Sequence, residues 1–551
     1  MRPLALWVFL SGALWAQIAG PRLGWTADGG QIRPIYGLPG ASAVGGAVAL
    51  GRNLGSIAVS PSQDYVLATD ADSGAALVIL PGTSAASIAG AAAGASRIAM
   101  SPRGSAAGLW FGANSHFEIV SGLPGAASVR EIDATFLGAP AAFAVSDDGN
   151  WLAGAWKTGV YTFGPDGAVN QVAAEGDIDA LAFFAGRSDL ALASATRVLT
   201  VINGAVTVAY QDSQRAIAGP RRGLRGVSAA AGIATSFDNR FIVRASHTGT
   251  VLTIDSSTGA ASAQDCSCAP EGVFGLGGSL FRLTSRDVKI FDAAAGSVSV
   301  VPPLGGTGTS TAAAVTAVIS QFPPMTIGGL PTSPGYKQQP AITISLAAPF
   351  TDTLTGTLTL TFASSVGGDD QMIQFGNSAG GRTATFTIPA GSTQASFSGS
   401  SSIPVLTGTV AGKITLTVTS VIDAGTDVTP NPQTFATITT NPTVPFIQTV
   451  TFTQTAGGLM VKVNGFSSSR DMTSGLFHFA PATNATVAQT DVTVSLAAPF
   501  TTWYQSSASN QYGSQFTMTV PFTVQGNPAE IVAVTVTLTN SKGASNPATP
   551  Q

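Results

Sequence analysis

From residue 341 onward, apolar residues alternate with Thr or Ser. "ITISL", "GTLTLTF", "TATFTI", "KITLTVTSV" and "FATITT" keep a period of two, the pattern of a strand with one buried and one solvated face. After the Pro break "TTNPTVP" the same period returns in "VPFIQTVTFTQT", "LMVKVNGF", "LFHFAP", "QFTMTVPFTV" and "IVAVTVTLTNSKGAS". No helical period runs through this half. It predicts two β-sandwiches of the Ig-like kind, about 110 residues each, over 326–441 and 442–551. The heptapeptide "SLAAPFT" occurs in both, at Ser345–Thr351 and Ser495–Thr501. Each copy follows an alternating strand, and Pro cannot donate to a central ladder. The expectation is therefore a corner used twice, leading each time to a Gly-started strand.

Between Ser56 and Phe291 the pattern changes. An apolar-x-apolar-Ser start, a turn, a strand, a second turn and another strand return six times, as in "RIAMSPRGSAAGLWFGANSHFEIV" and "GIATSFDNRFIVRASHTGTVLTI". Ser60, Ser101, Ser146, Ala185 and Ser236 mark equivalent positions, 41, 45, 39 and 51 residues apart. A period near forty with several short strands per unit predicts a β-propeller, because each small sheet can bury its faces only against its neighbours. "SDDGN", "DADSG" and "SHTG" carry the Asp, Asn and Gly that hairpins need. "QIRPIYGLPGA" matches "HFEIVSGLPGA" of the second full unit, so the N-terminal fragment reads as part of one more blade, completed by a strand near "TAAAVTAVI". Seven blades are preferred on this count, six being the alternative. The fold class is all-β: a propeller over 22–304, a Pro/Gly/Thr-rich linker over 305–325, then the two sandwiches.

"VSPSQDY" and "VSDDGNW" resemble the start of the second strand in YVTN-type and WD-repeat-like propellers of bacterial exported proteins, while "FFAGRSD" and "GLGGSL" have drifted from it. The resemblance covers roughly 22–304 and implies the fold; on function it is nearly silent. The stretch from Phe446 to Phe479 resembles transcription-factor-type Ig-like modules of bacterial surface proteins.

Composition adds a compartment. The start "MRPLALWVFLSGALWAQ" has the basic residue, apolar middle and small-residue cut of a secretory signal over 1–16, with cleavage expected at Ala16/Gln17. No later run of 18 apolar residues follows, so no integral membrane segment is expected after cleavage. Charged residues make up 10% of the 551, and 25 Lys+Arg face 29 Asp+Glu without a like-charge run. Nucleic acid is thereby excluded as an expected partner, since phosphate neutralisation needs a basic stripe. The protein is expected to be secreted or periplasmic, at the cell surface.

Candidate chemistry is sparse. The two cysteines, Cys266 and Cys268 in "QDCSCAP", read as a local disulfide or two thiols; closed zinc sites take four ligands, and no metal or cofactor is expected. "GNSAG" around Ser378 matches a nucleophile elbow, but that device needs a strand-turn-helix, and the flanks read as strands. "DADSG" at Asp70–Gly74 would need a closing acid where Pro81 stands, so it reads as a hairpin, as do Asp147 and Asp148. His116 and His247 read as turn residues. Arg215, Arg221, Arg222 and Arg225, in "SQRAIAGPRRGLRG", are the candidate binding residues, able to fork onto a glycan acid or a partner's carboxylates. The expectation is an exported, non-enzymatic binding, adhesion or scaffold protein contacting a cell-surface protein or polysaccharide. The alternative is a propeller enzyme, a lactonase or glycan-active hydrolase, with its site in the central funnel.

Overall fold

A computed structural model describes residues 16–81, 85–212, 229–305, 323–377, 379–455, 457–483, 485, 489–524 and 527–550. Their contacts form two compact units: one holds 24–34 and 46–299, the other the remaining described residues.

The first unit is propeller-like. Among the described residues it contains six four-stranded antiparallel sheets that follow one another along the chain. Sheet 1 is Leu54–Val59, Val66–Asp70, Ala76–Ile79 and Ala86–Ser87. Sheet 2 is Arg97–Met100, Ala106–Phe111, His116–Ser121 and Ser128–Asp133. Sheet 3 runs from Ala142–Val145 to Val169–Ala173, sheet 4 from Ala180–Phe183 to Ala205–Gln211, sheet 5 from Ala230–Thr235 to Ala261–Asp265, and sheet 6 from Phe274–Gly275 to Ser297–Val300. In sheets 1 to 6 the first strand of each lies beside the first strand of the next. The fourth strands of sheets 4 and 5 are largely exposed. First strands are therefore inner and fourth strands outer.

Each neighbouring pair of sheets encloses its own core. Leu67 and Val78 meet Leu109 and Val120 between sheets 1 and 2; Trp110 and Phe117 meet Phe143 and Trp156 between sheets 2 and 3. Phe183 packs with Ala153 and Val160, Phe184 with Ile233 and Ile242, and Phe281 with Val243 and Val251. Such side chains contribute about 1.5–3 kcal/mol each on burial, and every one of these cores needs two sheets. Isolated sheets of this kind would not hold. The series ends on residues 24–34, the tip of a hairpin between the strands Arg22–Asp28 and Gln31–Leu38, whose Trp25 and Ile32 pack on Leu54, Val66 and Leu77 of sheet 1. Its Thr26 hydroxyl donates to the Ser285 carbonyl of sheet 6 at 3.2 Å, and Asp28 lies 3.6 Å from Arg286.

The recurring serine has a structural reason. Ser101, Ser146 and Ser236 are buried, and each hydroxyl accepts from the backbone N–H that opens the second strand, that of Ala106, Trp151 and Phe241, at 2.9–3.0 Å. The backbone N–H of each donates to the carbonyl five residues on, as that of Ser60 does to Tyr65. In the fourth repeat the residue that makes this bond is Phe184, to Asp189. The equivalence therefore falls one residue before Ala185, which the sequence alignment of the repeats had matched to the serines.

The second unit contains two pairs of sheets, each pair sharing one core. The first pair joins Met325–Gly328, Ala341–Leu346 and Ile403–Pro404 to a sheet of Thr383–Ile388, Leu354–Ser364, Gly412–Asp423, Thr426–Asp427 and Phe435–Thr440. The second pair sets Gln515–Thr523, Gly458–Phe466 and Phe446–Thr455 against Asp491–Ser495, Ser474–Pro481, Ile531–Asn540 and Gly543–Ala544. A strand from the far end of the chain, Gln17–Ala19, completes it on the edge of Gln515–Thr523. Residues 22–23, 35–45 and 300–304, expected in the propeller, cluster here instead.

The two heptapeptides differ. After Ala341–Leu346 the first copy leads through a loop to the strand Leu354–Ser364. The second opens a helix, α1 (Ala497–Gln505), with Phe500 and Tyr504 buried on one face. Pro499 stands in its first turn, where a missing N–H costs nothing, and the run "TTWYQ" lacks the β-branched alternation of "TDTLTGTLTL". The expected second corner is thus corrected to a strand-to-helix junction.

Where the two sheet pairs of this unit meet, a carboxylate is caged. Asp370 is buried, and its oxygens accept from the backbone N–H groups of Thr409 (2.7 Å), Val410 (3.1 Å) and Met372 (3.0 Å). Burial pushes its pKa above the usual carboxylate range, against those donors. Gly513 of the second pair, at φ +62, stands where a Cβ would lie 2.3 Å from the Asp370 carboxyl. Ser514 exchanges hydrogen bonds with Thr409, and Arg470 donates to the carbonyls of Gly513 and Tyr504.

Candidate functional site

Within the first unit, the turns between the first and second strands converge. A circuit of hydrogen bonds passes through all six of them. The Tyr65 hydroxyl of sheet 1 donates to the Gly104 carbonyl of sheet 2. Asp147 of sheet 3 accepts from the Arg103 N–H of sheet 2 and from the Gly186 N–H of sheet 4, both at 2.7 Å. Asn239 of sheet 5 accepts from the Ala185 N–H and donates to the Ala185 carbonyl. The Phe237 N–H reaches the Gly278 carbonyl of sheet 6 at 3.4 Å. Gln63 returns the circuit to sheet 1: its amide donates to the carbonyls of Gly275 (2.9 Å) and Ser60 (2.8 Å) and accepts from the Trp25 N–H (2.9 Å). Arg103 also spans from sheet 2 to the Phe237 carbonyl of sheet 5 at 3.4 Å, so the turns surround a common hub.

Chemically, this hub holds a frame together. The side chains of Gln63, Asp147 and Asn239 engage backbone groups of other sheets, Gln63 and Asp147 on two sides and Asn239 on one, which fixes the turns against their neighbours. None of them was singled out as a bridging residue in the sequence. "SDDGN" reads as one turn, and the repeat period equates positions along the chain without saying that they meet at an axis. Asp148 does behave as a turn residue, accepting from the Ser146 hydroxyl and the Asn150 N–H. Its neighbour Asp147 does not.

The other candidates disperse. Arg215, Arg221, Arg222 and Arg225 lie in 213–228, and Ser378 also lies outside the described residues. The loop around Ser378 precedes the strand Thr383–Ile388, with no helix after it. His116 opens the third strand of sheet 2 and stacks on Phe111 at 4.5 Å. His478, on an inner strand of a sheet in the other unit, lies 2.8 Å from Asp491 on the edge strand beside it. Cys266 and Cys268 are joined as a disulfide. Among the described residues, no group of three His, Cys, Asp or Glu is placed to hold a metal ion, and no helix is long and apolar enough to cross a membrane. A cleft of about 270 Å³ lies between the hairpin and sheet 1, walled by Trp25, Ile32, Leu50, Val66, Ile79 and Pro81.

Turn aspartates should make the stability of this unit depend on pH. The Ser73 N–H and hydroxyl hold Asp70 below the usual carboxylate range, with Arg52 helping. Thr135 does the same for Asp133, and the Ser257 hydroxyl, with Arg240, for Asp255. Asp148 is partly desolvated, yet Ser146 and Asn150 outweigh that and lower it too. A depressed folded-state pKa contributes stability above the unfolded value and loses it as pH falls through the folded one. Glu118, raised by burial, works in the opposite sense but stands against four. The melting temperature of the unit should therefore be level above about pH 5 and fall below about pH 4. Asp255→Asn should reduce that slope in a calorimetric pH series; an unchanged slope would remove the turn aspartates as its cause.

No family model matches the chain, and no curated protein matches it. Among solved structures it is similar to a chain of the crystal structure of a nidogen/laminin complex, at 15% identity and a TM-score of 0.30, over 46% of this chain and 94% of that one. At that score the likeness carries no weight, and the propeller-like reading rests on the successive sheets and their shared cores.

Proposed function

We propose that the chain is an exported, non-enzymatic binding or scaffold protein of the cell surface, presenting loops from a rigid propeller to a protein or polysaccharide. The observation that carries this reading is the hub circuit. Residues of a kind that could serve catalysis, Asp147 and Arg103, are tied to the backbone of adjoining or opposite sheets, which suits a frame better than a reacting centre. Six full blades, with hairpin 24–34 wedged at the join, fit the direct bond from Gln63 to Gly275. The two C-terminal sheet pairs are read as Ig-like sandwiches serving as spacers or secondary contact modules. Export rests on the signal-like N-terminus; a cut at Ala16/Gln17 would leave the strand Gln17–Ala19 intact.

The test is retention of ligands from cell-envelope extracts and a polysaccharide panel on the immobilised chain from Gln17, run beside turnover assays with lactones and glycosides. Saturable retention without turnover is expected. Turnover that disappears in Asp147→Asn or Arg103→Ala, with the fold intact, would overturn the proposal in favour of a funnel enzyme.

A further inference from the structure

Cys266 and Cys268 close a ring over three residues at the end of the outer strand of sheet 5. So short a loop removes little freedom from the unfolded chain, and the cross-link is a weak staple. Other bonds already shape the segment. The Cys266 N–H donates to the Gly249 carbonyl at 2.9 Å, and the Ser267 N–H to the Asp265 carboxylate at 2.7 Å. With the sulfurs parted, these bonds would still hold Cys266 and Ser267 in place, and Cys268 follows directly.

The sulfurs are not equivalent. Cys266 is buried in the core between sheets 5 and 6, with Val243, Val251 and Phe281, while Cys268 is only partly buried against it. The chain contains no other cysteine, so reduction opens no route to scrambling.

We infer that Cys266–Cys268 is an exchangeable disulfide whose substrate is a small dithiol, attacked at Cys268. A thiolate of the dithiol attacks the Cys268 sulfur and forms a mixed disulfide there; the bond to Cys266 breaks, and Cys266 leaves as a thiolate that takes up a proton. The second thiol of the reductant then attacks its own mixed-disulfide sulfur and releases Cys268. Two electrons and two protons pass to the protein, and the reductant leaves as its disulfide.

The test uses the intact chain under native conditions. Dithiothreitol at about pH 8, followed by alkylation and mass spectrometry, should add two alkyl groups while the β-sheet circular dichroism is unchanged. The single-cysteine variants resolve the direction of attack. Cys268 in Cys266→Ser should react with a chromogenic disulfide about ten-fold faster than Cys266 in Cys268→Ser. Alkylation only after denaturant unfolds the chain, or equal rates in the two variants, would overturn the inference.

Discussion

Replacing Asp370 with alanine should lower the unfolding free energy of the C-terminal unit by about 3–5 kcal/mol. Its carboxylate is the acceptor for three backbone N–H groups, those of Met372, Thr409 and Val410. Alanine leaves all three in a space from which water is excluded, and each stranded donor costs about 1–3 kcal/mol. Part of that cost is recovered, because burial disfavours the charge that is removed. Asparagine should lose less, since its one amide oxygen can still accept from Thr409 and Val410, its NH₂ then facing only the Met372 N–H. Hydrogen-exchange mass spectrometry locates the effect: protection should fall in 408–411 and 509–515, while sheets 1 to 6 keep theirs. A loss below about 1 kcal/mol would show that the cage contributes nothing net.

The second large effect belongs to Gln63. Its side chain makes three backbone hydrogen bonds that join sheet 1, sheet 6 and the hairpin. Gln63→Ala removes them together, at about 2–4 kcal/mol. Gln63→Glu should be worse, because the carboxylate would face the Ser60 and Gly275 carbonyls that the amide NH₂ now serves. In urea melts followed by hydrogen exchange, peptides of 24–34 and of sheet 6 should lose protection before those of sheets 3 and 4. Uniform loss around the series would mean that Gln63 stabilises its own turn and does not close the ring.

These two residues also mark how far a linear reading reaches. The hairpins of sheets 2, 3 and 5 were legible because the serine and the Asp/Asn/Gly turns are local devices, set by bonds spanning five residues or fewer. Strand periodicity in the C-terminal half was legible for the same reason. Gln63, Asp147 and Asp370 act on groups that are distant along the chain, and nothing in their local sequence distinguishes them from solvated turn residues. The helix at Ala497–Gln505 escaped notice because its first seven-residue context repeats that of a loop, and only the residues after Thr501 decide between them. Ala185 was placed by spacing, and a one-residue slip in a turn leaves the apparent period intact. The arginine segment stands out by composition and by its place in the longest interval between repeats, and neither says what it faces.

The strand Gln17–Ala19 has a consequence for how the molecule is made. Gln17 pairs with Thr519, so this segment must wait for about 500 further residues to be synthesised before its partner exists. The sheets of the first unit can assemble as they emerge, neighbour upon neighbour. The sheet that Gln17–Ala19 joins cannot be completed in that order, and until Gln515–Thr523 has been made the early strand stays open to other chains. Anything that delays Gln515–Thr523, such as slow codons or a stop before it, should be felt first as aggregation rather than as loss of the early sheets.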